Sequence, residues 1–382
     1  MVDVKDSVVR LYVKRFVIPR ALIFDRPGFV DFKISGKTTV NLRQLLLPES
    51  FFVALEKQLV TEFGAEGEQT LYSIGKRFGY SFALNGRFEN IKDHPGEAVK
   101  DWVMIASKFV EGTYASNISQ ETDVKNKTVK YELKNFVVCR KLGYDFFLAT
   151  AGAAGIIAWI LQDIKIEGHM YDSLFKGSDQ FCKVTCAPVD VLSKQFKEQV
   201  YSETQVDDLL EDASTYRSFN TEVDIQYKKS FESYLNAKLF SYSEGIIVYK
   251  QKERFFLMEV SGMYLLEKGM KNEKMKKILF DCAFRIGQEL FPEIDKRRLL
   301  EVMELLSALG WGEVLVLSSG EKLKVIINYF PWTKFYKEID FLMIGGFLSG
   351  LCSRVYGKEI ILKKPKVDVS KGHLALLFEG AE

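Results

Sequence analysis

The chain has 382 residues, 47% of them hydrophobic and 27% charged, with 53 Lys and Arg set against 51 Asp and Glu. That composition excludes a largely disordered chain, a collagen-like fibre and a disulfide scaffold. A net charge of +2 gives no general attraction to nucleic acid or to a membrane surface. At about 150 residues per domain the length points to two or three domains, and an aromatic content of 13% suits large cores or apolar pockets.

The N-terminal stretch MVDVKDSVVRLYVKRF has no apolar h-region, so no secretory signal is read there. The five cysteines, Cys139, Cys182, Cys186, Cys282 and Cys352, are odd in number and include no CxxC. Such usage fits a reducing compartment, and the expected location is cytoplasmic.

The first predicted strand is Gly28–Phe32, followed by a turn at Ser35-Gly36. Residues 71–83 read as a helix. A second helix carries the stripe Val99, Trp102, Val103, Ala106 and Val110 and runs into Gly112. Val129, Tyr131 and Leu133 then alternate with charged residues, as in a strand with one buried face. The most apolar run, Phe146 to Leu161, has 16 residues. It falls short of the ~18–20 that span a bilayer and reads as a buried, small-residue helix. From Asp190 to Lys238 the chain is rich in charge and lacks Gly and Pro. Val206, Leu209, Leu210 and Ala213 fall at helical spacing there, so this stretch is expected to connect two halves.

The second half repeats the order. A strand at Gly245–Tyr249 is followed by one at Phe255–Val260. Residues 279–291 align without gaps on 71–83, placing Arg285 on Arg77 and Gly287 on Gly79. The stripe Val302, Leu305, Leu306 and Leu309 ends at Gly310-Trp311-Gly312, and a hairpin through Ser318-Ser319-Gly320 follows. Residues 341–378 align on 146–183, with Gly350 on Gly155 and Gly372 on Gly177; only five of those 38 positions are identical. The order of elements and the glycine spacing, rather than identity, suggest an internal duplication.

Little in the chain speaks for catalysis. There are three histidines, His94, His169 and His373, and no HExxH, GxSxG, Walker A or GxGxxG pattern. His94 and His373 stand at turns and are expected at the surface. His169 with Cys182 and Cys186 is the best candidate metal set. Cys182 and Cys186, however, share one face of a strand about 13 Å apart, too far for a common ion, so they read as small buried hydrophobes. The acidic stretches Glu203–Asp212 and Glu301/Glu304 fall on helical segments with lysines or arginines nearby, and the basic runs Lys271–Lys277 and Lys363–Lys366 are interleaved with acids or Pro; all read as solvated faces.

Residues 240–380 resemble the vinyl-four-reductase family, also described as predicted hydrocarbon-binding domains. The resemblance rests on several features. One is the helix ending in Leu309-Gly310-Trp311-Gly312, followed by the hairpin VLVLSSGEKLKVIINYF. Others are the small-residue helix at Gly345–Leu351, a short strand at Ile360–Lys363 and a last strand after Lys371-Gly372. Gly152–Gly155 and Lys176-Gly177 echo it in the first half. The resemblance implies an α+β fold related to TRAPP tethering subunits and haem nitric-oxide sensors, with helices packed on one face of a twisted antiparallel sheet. It also implies a small apolar ligand. Many members carry a C-x3-G-x3-C pattern at the last glycine; here Ser173 and Phe181, and Asp368 and Leu376, occupy those positions, which puts a metal or thiol role there in doubt.

The resulting expectation is two divergent copies of this α/β unit, residues 1–190 and 240–382, joined by a charged connector, 191–239. No catalytic residue, metal or cofactor is assigned. The favoured function is non-enzymatic: a binding or sensory protein that holds an apolar ligand between helices and sheet. Its candidate contacts are Trp311, Phe347, Leu309, Phe284, Trp102 and Phe147. The alternative is a protein-interaction scaffold in which a tandem TRAPP-like pseudo-dimer, or a homodimer, presents its outer surfaces to a partner, with no ligand. Neither reading involves nucleic acid or a membrane span. The ligand reading calls for a cavity of ~300 Å³ or more, whereas the scaffold calls for filled cores.

Overall fold

The computed structural model describes residues 22–23, 26–34, 40–139, 146–176, 179–206, 223–243, 245–319, 322–331, 334–370 and 373–381. Helices pack against antiparallel sheets throughout, an α+β architecture.

In the first half, strands β1 (Leu22–Ile23), β2 (Asp31–Ile34) and β3 (Val40–Pro48) lead into helices α1 (Glu49–Phe63), α2 (Ala65–Asn85) and α3 (Val99–Tyr114). The hairpin β4 (Asn117–Asp123) and β5 (Thr128–Lys134) follows, then α4 (Phe147–Ile160), β6 (Ile166–Lys176), β7 (Asp179–Pro188) and the short α5 (Val189–Gln195). After the short α6 (Phe231–Asn236) the second half runs β8 (Phe240–Ser243), β9 (Ile246–Tyr249), β10 (Glu253–Glu259), α7 (Val260–Lys268), α8 (Glu273–Glu289) and α9 (Leu299–Leu306). It closes with β11 (Glu313–Ser319), β12 (Lys322–Pro331), α10 (Leu342–Tyr356), β13 (Lys366–Ser370) and β14 (His373–Ala381).

Each half builds a four-stranded sheet of the same order: β4-β5-β7-β6 in the first, β11-β12-β14-β13 in the second. The remaining strands join into one six-stranded sheet, β1-β2-β3-β10-β9-β8. At its centre β3 and β10 run antiparallel, with Leu47 opposite Phe256 and Leu46 opposite Leu257. Leu45, Leu46 and Leu47 and Phe255, Phe256 and Leu257 are all buried. These are unbroken apolar runs rather than alternating ones, as a strand covered on both faces requires. Each such side chain contributes roughly 1.5–3 kcal/mol of burial. The halves therefore share a sheet, and one apolar core runs through both.

The connector is docked where it is described. Tyr201 and Val206 are buried, and the Tyr227 hydroxyl donates to the Val314 carbonyl at 2.6 Å. The helical pattern at Leu209, Leu210 and Ala213 lies outside the described residues, as do the turns at Ser35-Gly36, Gly320 and Gly372.

Two expectations need correction. Ile360–Lys363 is not a strand. The Ile360 and Leu362 amides instead donate to the hydroxyls of Ser353 and Ser349 on α10, at 2.8 and 2.9 Å, and only the Lys363 amide reaches a strand, at the Glu379 carbonyl of β14, 2.9 Å away. His373 is buried, not exposed: it opens β14 opposite Pro331, edge-on to Phe29 and Tyr329. Burial and the cations Arg43 and Arg26 hold its pKa down to about 4.

Candidate functional site

The two small-residue helices do the same job in each half. α4 packs on α2, and α10 packs on α8, at backbone contact distance. A Cβ added at Gly155 would fall 2.2 Å from the Lys76 carbonyl oxygen and 2.5 Å from the Tyr80 nitrogen. One added at Gly350 would fall 1.9 Å from the Phe284 oxygen and 3.1 Å from the Gln288 nitrogen. The aligned pairs Gly155/Gly350, Lys76/Phe284 and Tyr80/Gln288 thus make matching contacts. A Cβ added at Gly79 would fall 1.9 Å from the Gly152 carbonyl oxygen, as one added at Gly287 would fall 2.1 Å from that of Phe347.

Further correspondences escaped the sequence reading. On α1 the Glu56 carboxylate accepts the Phe147 amide at the start of α4, at 3.1 Å. On α7 the Glu267 carboxylate accepts the Leu342 amide at the start of α10, at 2.7 Å. Negative charge at a helix N-terminus is favourable, although burial still raises Glu267 to about 7. Arg43 on β3 donates to the carbonyls of Gly310 and Tyr329, at 3.1 and 3.3 Å, in the second half. Arg254 on β10 donates to those of Tyr114 and Asn135, at 3.0 and 2.9 Å, in the first. Gly310 and Tyr114 each lie where a helix gives way to a strand, and Tyr329 and Asn135 both have positive φ. Each half therefore closes the other with a guanidinium, that of Arg43 buried and that of Arg254 half-buried. A gapless alignment of 43–58 on 254–269 would have found this, because Arg43, Leu46, Ser50, Leu55, Glu56 and Lys57 recur as Arg254, Leu257, Ser261, Leu266, Glu267 and Lys268.

The halves differ at one position of that helix pair. Phe347 of α10 corresponds to Gly152 of α4. Phe347 and Trp311 are buried, with ring centroids 5.2 Å apart, and fill the second half; Leu309 is buried in the turn just before Trp311. In the first half, where Gly152 offers no side chain, an apolar cavity of about 100 Å³ remains. α2 contributes Gly75, Phe78, Gly79 and Phe82, α4 contributes Gly152 and Ala153, and Phe256, Met258 and Gly262 of the second half close one wall. Gln44 and Tyr114 bring the polar groups. A smaller void of about 30 Å³ adjoins it, sharing Val110, Phe136, Ala149, Ala153 and Ile156.

The six residues expected to form one site are not brought together. Trp311, Phe347 and Leu309 fill the second half and do not line the cavity. Phe284 is half-buried on α8 and stacks on Phe280 at 6.3 Å. Trp102 is half-buried and stacks on His94 at 5.0 Å. Phe147 faces Tyr201, on a separate basin. The cavity residues of α2 were missed: the 71–83 alignment marked Gly79 as a shared glycine, but not the space beside it.

Cys182 and Cys186 are buried on β7, opposite Leu133 and Val129, and burial drives the Cys186 thiol far up. No group of three or more metal-ligating side chains occurs among the described residues. No described helix is long and apolar enough to cross a membrane. No protein-family model matches the chain, and no curated protein is significantly similar to it.

Proposed function

We propose that the chain is a non-enzymatic binding or sensory protein made of two divergent copies of one α+β unit. In this reading the first copy holds a small apolar molecule between α2, α4 and the shared sheet. The second copy has filled its equivalent space with Phe347 and serves as the first copy's permanent partner. The apolar cavity at Gly75, Gly79 and Gly152 carries the proposal. Its size limits the occupant: at about 100 Å³ it lies below the ~300 Å³ of drug-sized pockets. An engineered 150 Å³ apolar cavity accommodates benzene, so the ligand has only a few carbon atoms. The cavity falls short of the ~300 Å³ first called for, so what supports the ligand reading over the scaffold is the unfilled core at this place, not its size.

The experiment is thermal unfolding with benzene as the probe. Ligand at about a hundred times its Kd stabilises a protein by roughly 2.7 kcal/mol, so the wild-type midpoint should rise saturably with benzene. Gly152→Phe, which puts into the first half the residue found in the second, should abolish the rise. Ala149→Leu, a smaller intrusion, should weaken it. Equal shifts in all three proteins, or none in the wild type, would overturn the reading.

A further inference from the structure

A second recess lies on the other side of α4, and the positions aligned with Tyr72, Phe147, His169 and Tyr171 of its wall carry different side chains in the second half, Phe280, Leu342, Lys364 and Lys366. Its volume is about 470 Å³, and Tyr72, Phe147, His169, Tyr171 and Tyr201 line it. Phe147 and Tyr201 meet edge to face at 5.6 Å, and Tyr72 lies 5.9 Å from Tyr201. Glu68, Asp172 and Glu198 stand around it. Glu68 accepts the Tyr201 hydroxyl, Asp172 pairs with Lys183 at 3.1 Å, and Glu198 lies 3.7 Å from His169. Three carboxylates thus face one lysine, while burial keeps His169 toward its neutral form.

Beneath the recess is a closed polar group. Glu167 accepts the Tyr72 hydroxyl at 2.8 Å, the Lys76 ammonium at 2.5 Å and the Glu203 amide at 3.1 Å. The Gly168 amide donates to the Tyr72 oxygen at 2.7 Å. In the second half, Tyr72, Lys76 and Glu167 correspond to Phe280, Phe284 and Leu362. The polar floor is therefore not required by the fold. Thr150, which also lines the recess, is only 4% exposed, and its hydroxyl finds no partner in the protein. An unmet buried hydroxyl costs about as much as a lost hydrogen bond, which a polar ligand group would restore.

We propose that this recess is a binding site for an organic ammonium ion bearing a hydroxyl or a comparable polar group. Aromatic faces attract cations through the ring quadrupole, and desolvated aromatic boxes select alkylated ammonium. Glu68 and Glu198 supply the compensating charge, Asp172 being already paired with Lys183, and Thr150 supplies a hydrogen-bond partner for the polar group. The site is independent of the apolar cavity, because Phe147 and Thr150 belong to one set of α4 positions and Leu148, Gly152 and Ala153 to the other.

Titration calorimetry of the full chain with choline, and with its uncharged carbon isostere 3,3-dimethylbutan-1-ol, tests this. Choline is expected to bind saturably in the millimolar range or tighter, with the isostere about tenfold weaker. Glu198→Gln, at a side chain 72% exposed and hence without consequence for folding, should weaken choline about threefold. Phe147→Leu should weaken it further while the isostere changes little. Equal binding of choline and the isostere, no saturable choline binding by wild type, or unchanged choline affinity in both variants would overturn the proposal.

Discussion

The contact between α2 and α4 makes a sharp forecast for two glycines that face each other. A Cβ at Gly79 would sit 1.9 Å from the Gly152 carbonyl oxygen, whereas ordinary contact begins near 3.4 Å. Gly79→Ala therefore forces the helices apart by about 1.5 Å along that line, and gaps of 0.5–1 Å already forfeit a quarter to a half of each dispersion contact. Overpacking of this kind costs about 1–3 kcal/mol and sometimes more; alanine's better helix propensity returns about 1 kcal/mol. The net expectation is a loss of about 1 kcal/mol, rising to about 2 at the upper end of that cost. At Gly152 the nearest obstacle to a Cβ is the Gly75 oxygen at 3.6 Å, an ordinary distance. Gly152→Ala should then be neutral or stabilising by up to about 1 kcal/mol, since the methyl meets the cavity. Urea unfolding followed by circular dichroism and by tryptophan fluorescence measures both, provided the two probes coincide. If Gly152→Ala were the more damaging of the two, or Gly79→Ala left the midpoint unchanged, the helix contact described here would be wrong.

Further expectations concern the seam between the halves and its buried charges. Gly350→Ala, with 1.9 Å to the Phe284 oxygen, should cost as much as Gly79→Ala in the same assay. Arg254→Met leaves the Asn135 carbonyl without its donor, while the Tyr114 carbonyl keeps the Val137 amide at 2.8 Å, and should cost about 2 kcal/mol in urea unfolding, at ~1–3 kcal/mol per unmet group; an unchanged midpoint would remove the guanidinium from the account of the seam. Glu267, raised from 4.5 to about 7, is protonated in the folded chain over a range where the unfolded chain has lost the proton. Stability attributable to it therefore falls by roughly 3 kcal/mol as pH rises from 4.5 to 7. Glu267→Gln should flatten that part of the profile, and an unaltered profile would contradict the assignment. His373, lowered from 6.5 to about 4, acts in the opposite sense: the unfolded chain takes up a proton first, so stability falls as pH drops through that window. His373→Phe should remove this loss, read as the change in midpoint between pH 7 and pH 5, and a loss as large as in wild type would place the titration elsewhere.

What could be read from the sequence was the local order. Periodicity marked the stripe of α3, and alternation marked β5. The glycines at Gly79, Gly155, Gly287 and Gly350 fell in register between the halves because a close helix contact tolerates no Cβ there. The sharing of β3 and β10 in one sheet was not legible. That pairing joins residues more than 200 positions apart, and each run is uniformly apolar, so neither periodicity nor turn chemistry announces a partner. Emphasis on tryptophan and glycine placed the ligand site at Trp311 and Phe347, where large rings fill space. The cavity lies instead where a ring is missing, at Gly152, and an absent side chain gives no signal until the two halves are aligned and compared. His373 was misjudged because it follows a Lys-Gly turn, although the strand it opens turns it toward Phe29 and Tyr329.

The account rests on the unfilled space beside Gly152, and a crystal of the chain under xenon pressure tests it most directly. Xenon enters dry apolar cavities of this kind. The expected result is one ordered xenon among Gly75, Gly79, Gly152 and Phe82, absent from crystals of Gly152→Phe, with none between Trp311 and Phe347. Xenon at the Trp311–Phe347 contact and none beside Gly152 would contradict the account.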